Sequence, residues 1–524
     1  MKIIGAGAAL PVLGMKANAQ TGSPATRGMY DVKAFGATGD GKTIDTAAIN
    51  QAIDAAAATG GGTVHFPAAS YLSYSIHLKS NISLLLDTGA KIIAADSPTP
   101  GASISSGAYD PAEPNNRWES YQDYGHNHWH NSLIWGENLE NVAILGPGLI
   151  WGRGLSKGYG PGPKAEQAGV GNKSIALKNC RNVLLRDFSI LHGGHFGILA
   201  TGVDNLTIDN LKIDTNRDGI DIDCCRNVRV SNCSVNSPWD DGICLKSSYA
   251  LGELRSTDMV TITNCLLSGS FEEGALLDAT YKRFAPDVRV PRTGRIKFGT
   301  ESNGGFRNIT ISNCAFDGCQ GLALESVDGA LLEDVTIANI SMRDIVSAPI
   351  FMRLGNRMRG PQGRAVGKLQ RVIIGNLVCY NAGPRISSIV TAVPERHIQD
   401  LKIHDVYIQH QGGGTREMAA IQPPEEERDR YPDPGRFGPT PSNGFFLRHV
   451  TNIEMSNIEV RPDKEDFRPA FVLDDVQRAD FFHVKAPRVA DVPMFVLNNV
   501  QEFTVARAKS VPDTQLDRVD HKVL

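Results

Sequence analysis

A short phrase, Asn-Val-x-Ile-x-x-x-x-Ile, recurs in degenerate form along this chain, and it constrains the fold more than any other feature. It starts at Asn141-Val142, Asn182-Val183, Asn205-Leu206, Asn227-Val228, Asn308-Ile309, Asp334-Val335, Asp400-Leu401 and Asn452-Ile453. The best-kept spacings are 23 and 22 residues, from 182 to 205 to 227. That period fits one three-strand coil per repeat, with Asn at a corner and apolar residues alternating along each strand. A leucine-rich repeat would need a Leu-x-x-Leu-x-Leu phrase, which is absent. The expected fold is all-β: a right-handed parallel β-helix, a solenoid, with coils over about 85–510 and an N-terminal cap over about 30–84.

The cap has its own signature. Residues 43–58 carry Ile49, Ala52, Ile53 and Ala56 at helical spacing, begin near Thr43 and Asp45, and end at Gly60-Gly61-Gly62. Such an amphipathic helix can plug the open end of a solenoid, where strand edges are otherwise unpaired. Just before it, residues 36–43 (GATGDGKT) match the P-loop expression. No succession of helices follows, so no doubly wound sheet is available to supply the partner carboxylate, and nucleotide binding is not expected.

The 524 residues, 41% of them hydrophobic, allow a large core in a single solenoid domain over 20–524. A formal charge of −4 argues against a general polyanion binder, so no nucleic-acid partner is expected. An anionic substrate would need a local basic cluster. Residues 3–14 are apolar after Lys2, and Ala17-Asn18-Ala19 offers a small-x-small site. Residues 1–19 therefore read as a signal peptide, and the protein as periplasmic or secreted, without a membrane span. Cys180, Cys233, Cys265 and Cys314 each follow Asn at one place in the strand phrase, as small residues stacked inside a solenoid would. One or two disulfides remain compatible with an oxidising compartment. Two insertions interrupt the coils: 271–293, placed to wall a cleft, and 412–443, placed to fold over it or to make a subunit contact.

The candidate site comes from two Asp-Gly steps. Asn216-Arg217-Asp218-Gly219 is followed, 22 residues after its aspartate, by Asp240-Asp241-Gly242. Ile220/Ile222 then match Ile243/Leu245, so Asp218 and Asp241 should stand on neighbouring coils about 5 Å apart, with Asp240 beside them. Three carboxylates at that range cannot all ionise freely, and at least one pKa should rise. The same register places Phe196 over Asp218 as a sugar platform, His195 near Arg217, and Arg295 and Lys297 near the carboxylates. Arg353, Arg357 and Arg359 form a second basic group, read either as carboxylate recognition or as salt bridges to Asp221, Asp223 and Glu325. His126, His128 and His130 stand at period two, as on one face of a strand, and read as a substrate-facing patch or as simple polar packing in preference to a metal site. No metal and no cofactor are expected.

These motifs resemble glycoside hydrolase family 28, the polygalacturonase and rhamnogalacturonan hydrolase family, over most of the chain. The opening Asp31-Val32-Lys33-Ala34-Phe35-Gly36 resembles the entry to many pectin-active β-helices, and Asn216-x-Asp218-Gly219 with Asp240-Asp241 is the more specific part. The resemblance implies inverting hydrolysis in which Asp240 protonates the glycosidic oxygen while Asp218 and Asp241 activate water. It also implies a pectic oligo- or polysaccharide partner; the residues expected to bind it, from register and charge as well as from the resemblance, are His195, Asn216, Lys246, Arg295, Lys297, Glu325 and Arg353. The chain departs from the family at two places. The family's Gly-His-Gly falls on Thr293-Gly294-Arg295, and its Arg-Ile-Lys on Ala323-Leu324-Glu325, so that the literal Arg295-Ile296-Lys297 lies one coil too early. An acid in place of a carboxylate-gripping lysine favours a neutral leaving sugar such as rhamnose. The substrate expected is therefore rhamnogalacturonan-type more than plain homogalacturonan, although rhamnogalacturonan hydrolases often carry Asp-Glu where this chain has Asp240-Asp241. Homogalacturonan hydrolysis, a lyase and a non-catalytic carbohydrate-binding β-helix are the alternatives, and exo or endo action stays open.

Overall fold

The computed structural model describes residues 28–98, 107–158, 164–424 and 431–524. The signal peptide read from residues 1–19 lies outside them. Strands dominate, and successive coils pair in parallel along three faces, giving the right-handed β-helix that the repeat predicts. On the first face Ile175, Ile198, Ile220, Ile243 and Ile296 align in register from coil to coil. On the second, Val142, Val183, Leu206, Val228, Val260 and Ile309 do the same. Ile150, Ile190, Ile213, Val235 and Leu267 line the third. All of these are buried in one continuous core. Stacking like side chain on like satisfies the hydrophobic effect and the β-ladder together.

The corner explains the asparagine of the repeat. Its eight occurrences, six Asn and two Asp, all have positive φ, between 54° and 61°. Asn and Asp enter this left-handed region at lower cost than other residues bearing a side chain. The corner side chains also bond along the axis: the Asn141 amide donates to Asn81 at 2.8 Å, Asn182 to Asn141 at 3.0 Å, and Asn205 to Asn182 at 2.8 Å.

Parallel pairing begins well before residue 85: Met29–Asp31 pairs with Gly62–Phe66, which pairs with Ile82–Leu86. These strands alternate apolar and polar but lack the Asn corner phrase. The capping helix spans Thr46–Ala58, three residues shorter at its start than expected, and buries Ala48, Ile49, Ala52, Ile53 and Ala56. Residues Asp40–Ile44 are a strand instead, paired with Ser70–Ser73. The Asp45 carboxylate accepts hydrogen bonds from the amides of Thr38 at 2.7 Å and Gly39 at 3.1 Å. Two amides of the P-loop-like segment are thus already bound to a carboxylate, which fits its non-nucleotide reading. At the other end Thr514–Val523 runs antiparallel on Phe495–Ala506. All nine cysteines are buried free thiols. No described helix is long and apolar enough to cross a membrane.

The corner yields a stability test. Asn182→Val forces a β-branched residue to φ near 56° and breaks the ladder, and is expected to destabilise by about 1–3 kcal/mol. Asn182→Gly keeps the conformation and loses only the side-chain bonds, at about 1 kcal/mol. Denaturant unfolding of the two variants checks the order; equal stability would remove the corner from its proposed role.

Candidate active site

The aspartates are placed by the backbone. Ile220 pairs with Ile243 and Ile222 with Leu245, so Asp218 and Asp241 occupy equivalent positions on adjacent coils. Gly219 and Gly242 follow them because the coils approach closely there. A Cβ on Gly197 would meet the Gly219 carbonyl at 2.6 Å, and one on Gly219 the Gly242 carbonyl at 2.5 Å. Carboxylate oxygens of Asp218, Asp240 and Asp241 lie within 4.8 Å of one another. The Asp241 amide donates to Oδ1 of Asp218 at 3.3 Å and to Oδ1 of Asp240 at 3.1 Å, so one N–H faces both carboxyls.

The three carboxyls sit in different surroundings. Asp218 is 3% exposed, and burial, then the charges of Asp221 and Asp240, push its pKa well above the usual carboxylate range. Burial would raise Asp241 too, but Lys297 and Arg295 hold it down at about 2. Arg295 Nε lies 2.8 Å from Asp241 Oδ1, and Lys297 Nζ 3.2 Å from Oδ2. Asp240 is the accessible member, its side chain 25% exposed, and its Oδ2 accepts from Arg217 Nε at 3.0 Å and Nη2 at 2.8 Å. The site therefore sets a carboxyl biased toward its protonated form beside a carboxylate held by two buried cations, with a third acid, paired with Arg217, at the cleft. Arg217, Arg295 and Lys297 balance the charge of this oxygen cluster.

The other expected residues fall into several classes. Arg295 and Lys297 do come to the triad, yet as buried partners of Asp241 and not as free cations. Lys297 also faces Glu325 at 3.8 Å and bonds the Tyr431 hydroxyl. Glu325 is 0% exposed, and burial raises its pKa to about 7 despite Lys297 and Arg295. It lies behind Lys297, so the expectation that it meets a sugar directly is corrected. Lys246 is buried 3.3 Å from Glu301 and 3.7 Å from Asp221, and it closes a charge ladder instead of facing the cleft. Arg353 stands opposite Glu325 in register and donates to Thr391 and to the Ala392 carbonyl, both at 3.0 Å, with Phe437 beneath it. It is remote from the triad. Arg357 pairs with Asp328, and Arg359 with Asp123 and Glu301. For Arg357 and Arg359 salt bridging is the reading observed, with other acids than expected.

His195 is buried, stacked on Phe196 with centroids 4.2 Å apart. Burial, then the Arg217 charge, keeps its imidazole neutral. A Cβ on Gly158 would sit 2.8 Å from His195 Nδ1 and 3.4 Å from Arg217 Nη1, so the expected proximity of His195 and Arg217 holds. Phe196 itself packs with Trp129, Ala176, Leu199 and Ala250 and is fully buried, so it is no sugar platform. Asn216 is 1% exposed, and neither its amide oxygen nor its nitrogen has a protein partner. The three histidines do not share a strand face. They lie in a loop, where His126 approaches Asp221 at 3.6 Å, His128 stacks on Tyr124, and His130 bonds Glu137 at 3.0 Å.

Two elements were not legible as site components. The Arg217–Asp240 pair was hidden because adjacent coils join through side chains whose direction a sequence does not give. Tyr431 and Phe437 come from the 412–443 insertion, which folds over the first face at Lys297 and Arg353. The 271–293 insertion brings Glu273 to His192 at 2.9 Å and Lys157 at 3.4 Å. It also sets Phe284 edge-on to Trp239, the neighbour of Asp240.

Comparisons with known proteins bear on the fold. Residues 29–123 match the family model described as rhamnogalacturonase A/epimerase, pectate lyase-like, and residues 165–282 match the right-handed β-helix region. A probable polygalacturonase of Vitis vinifera is 26% identical over 227 residues, 41% of this chain and 43% of the relative. A mannuronan C5-epimerase of Azotobacter vinelandii is 67% identical over 42 residues, 8% of this chain and 4% of the relative. The matched stretches thus span less than half of these relatives' lengths. The family 28 exopolygalacturonase of Yersinia enterocolitica superposes with a TM-score of 0.58 at 18% identity, over 93% of this chain and 79% of that one. The exopolygalacturonase of Thermotoga maritima gives 0.55 at 19% identity, over 73% and 87%. The chain is thus similar to glycoside hydrolase family 28, as its aspartate motifs imply.

The electrostatic asymmetry can be tested by stability alone. Asp218, with its pKa raised, binds its proton more tightly folded than unfolded, so its burial costs stability as pH rises above the unfolded value of about 4. Asp218→Asn should therefore be neutral or stabilising at pH 7. Asp241→Asn strands Arg295 and Lys297 beside a neutral group and should cost about 3–5 kcal/mol. Thermal unfolding of both variants at pH 7 reads the difference; a reversed order would refute the assignment of charge.

Proposed function

We propose that this chain is an exported hydrolase of glycosidic bonds in a uronate-containing pectic polysaccharide, acting with inversion and preferring rhamnogalacturonan-type substrates to plain homogalacturonan. The observation that carries the reading is the stacked triad, in which one carboxyl retains a proton, one is fixed as the anion and the third is open to the cleft. Hydrolysis needs a proton for the leaving oxygen and a base for water. Asp240, the accessible member, is the acid in this scheme, with Asp218 and Asp241 orienting the water.

Inverting enzymes usually separate acid and base by about 6.5–9.5 Å across a cleft. Here the three carboxylates share one wall and approach within 4.8 Å, so inversion calls for a sugar ring presented edge-on, with the water beneath it. The substrate preference rests on charge. Arg295 and Lys297, the cations on the C-terminal side of the triad, are committed to Asp241 and to the Glu325 side, which leaves little to hold a second uronate there. A neutral leaving sugar suits that environment. Exo action draws on two covering segments: His126 lies against Phe196 and Asp221 and Asp123 pairs with Arg359, while Tyr431 and Phe437 lie over Lys297 and Arg353. The similarity to exopolygalacturonase folds is consistent with that reading.

Incubation with defined oligosaccharides tests the reading. Rhamnogalacturonan fragments should be cleaved at least about tenfold faster than oligogalacturonate, equivalent to about 1.4 kcal/mol in the transition state, and the first product should carry the inverted anomer. Asp240→Asn should lower turnover by about 10²–10⁴-fold without loss of fold. Faster cleavage of homogalacturonan would overturn the preference, and an Asp240→Asn variant at half the native rate would remove Asp240 as the acid.

A further inference from the structure

The free site poses a problem for its own chemistry. The acid role requires a proton on Asp240, yet Asp240 is salt-bridged to Arg217, while the proton-holding carboxyl is Asp218. Something must loosen Arg217 and move the proton. The surroundings point to the agent. The cations beyond the triad are committed: Arg295 and Lys297 to Asp241, Lys246 to Glu301 and Asp221, Arg357 to Asp328, and Arg359 to Glu301 and Asp123. Arg217, 21% exposed, is the cation that holds the accessible Asp240 at the cleft, whereas Arg295, Lys297 and Lys246 are almost fully buried. It belongs to the coil of Asp218, on the N-terminal side of Asp240, whereas Glu325 lies two coils beyond Asp241 on the other side. Beside it stand Lys157, whose carbonyl accepts from Arg217 Nη1 at 3.4 Å, and neutral His195.

We propose that Arg217 is the receptor for the carboxylate of the uronate on the non-leaving side of the scissile bond, and that this carboxylate displaces Asp240 from the guanidinium. The inference rests on the pectic-hydrolase reading above. A planar fork that already grips one carboxylate through Nε and Nη2 can grip another in the same geometry. Once Asp240 loses its cation, the proton held on Asp218 passes to it: one O–H bond breaks on Asp218 and one forms on Asp240. The Asp241 amide, shared by Oδ1 of both residues, holds the two carboxyls together for that transfer. The product is a protonated Asp240 and an ionised Asp218, the state that acid and base catalysis requires. Substrate recognition and arming of the acid are then one event, and a sugar lacking the carboxylate leaves the site unarmed.

The test uses the full chain and two forms of one substrate: oligosaccharides of alternating galacturonate and rhamnose, as free acids and as methyl esters. The native protein should cleave the free acid at least about tenfold better in kcat/KM than the ester, the scale of one charge-assisted contact. In Arg217→Gln the preference should fall to within about twofold, because the acid form loses its receptor while the ester form keeps or gains rate as Asp240 is released. Arg217→Lys should restore part of the preference, which separates recognition from misfolding. Equal loss on both forms in Arg217→Gln would assign Arg217 a structural role and overturn the proposal, as would a native protein indifferent to esterification. A native protein inactive on every pectic oligosaccharide would instead overturn the hydrolase reading, and this inference with it.

Discussion

Everything in this molecule depends on one distance, the spacing of about 4.8 Å between stacked parallel strands. It brings residue 218 beside 241 and aligns Ile175 through Ile296 in a single core column. It also sets charged side chains directly above one another on the outer side of the first face. At that range like charges repel strongly and opposite charges must pair. The outer positions of the first face accordingly form an ion ladder: Asp221, Lys246 and Glu301 interlock, and Asp241 sits between Arg295 and Lys297.

The triad gains its chemistry from unequal treatment within that ladder. Asp241 has two cations and stays ionised; Asp218 has acidic neighbours and burial, and keeps its proton; Asp240 has a single guanidinium on the solvent side. Nearly equivalent side chains, one coil apart, are given different protonation states by what stands above and below them. The loops add enclosure: the Asp123–His126 segment reaches from Asp221 to Arg359, and Tyr431 and Phe437 cover Lys297 and Arg353.

Coil architecture and the triad were legible in the sequence because both are expressed as period. A repeat of 22–23 residues with Asn at a left-handed corner can be read directly, and the Ile220/Ile243 register follows from it. The first coils were harder to see, since residues 62–94 lack the Asn phrase although they alternate in the same way. Where a side chain points, and which loop covers it, is not periodic. Phe196 was expected to face a sugar and lies buried under the His126 loop, while Glu325 was expected to face the leaving group and is covered behind Lys297. The histidine triplet looked like a strand because period two is also what three residues of a loop can show by accident. The path of such a loop is set by tertiary contacts that no local pattern encodes.

In the column of Gly197, Gly219 and Gly242, the first two leave no room for a Cβ between coils and the third leaves little. Distances between functional groups along the axis are consequently quantised. A carboxylate can move to the next coil or stay, but it cannot drift by a fraction of an ångström, because the backbone rather than the side chain sets the step. Change in such a scaffold proceeds by exchanging the residue at a fixed address or by lengthening a loop beside it. Arg217, an address beside the triad, illustrates how the sugar accepted could diversify while the spacing of the reacting groups is held by geometry alone.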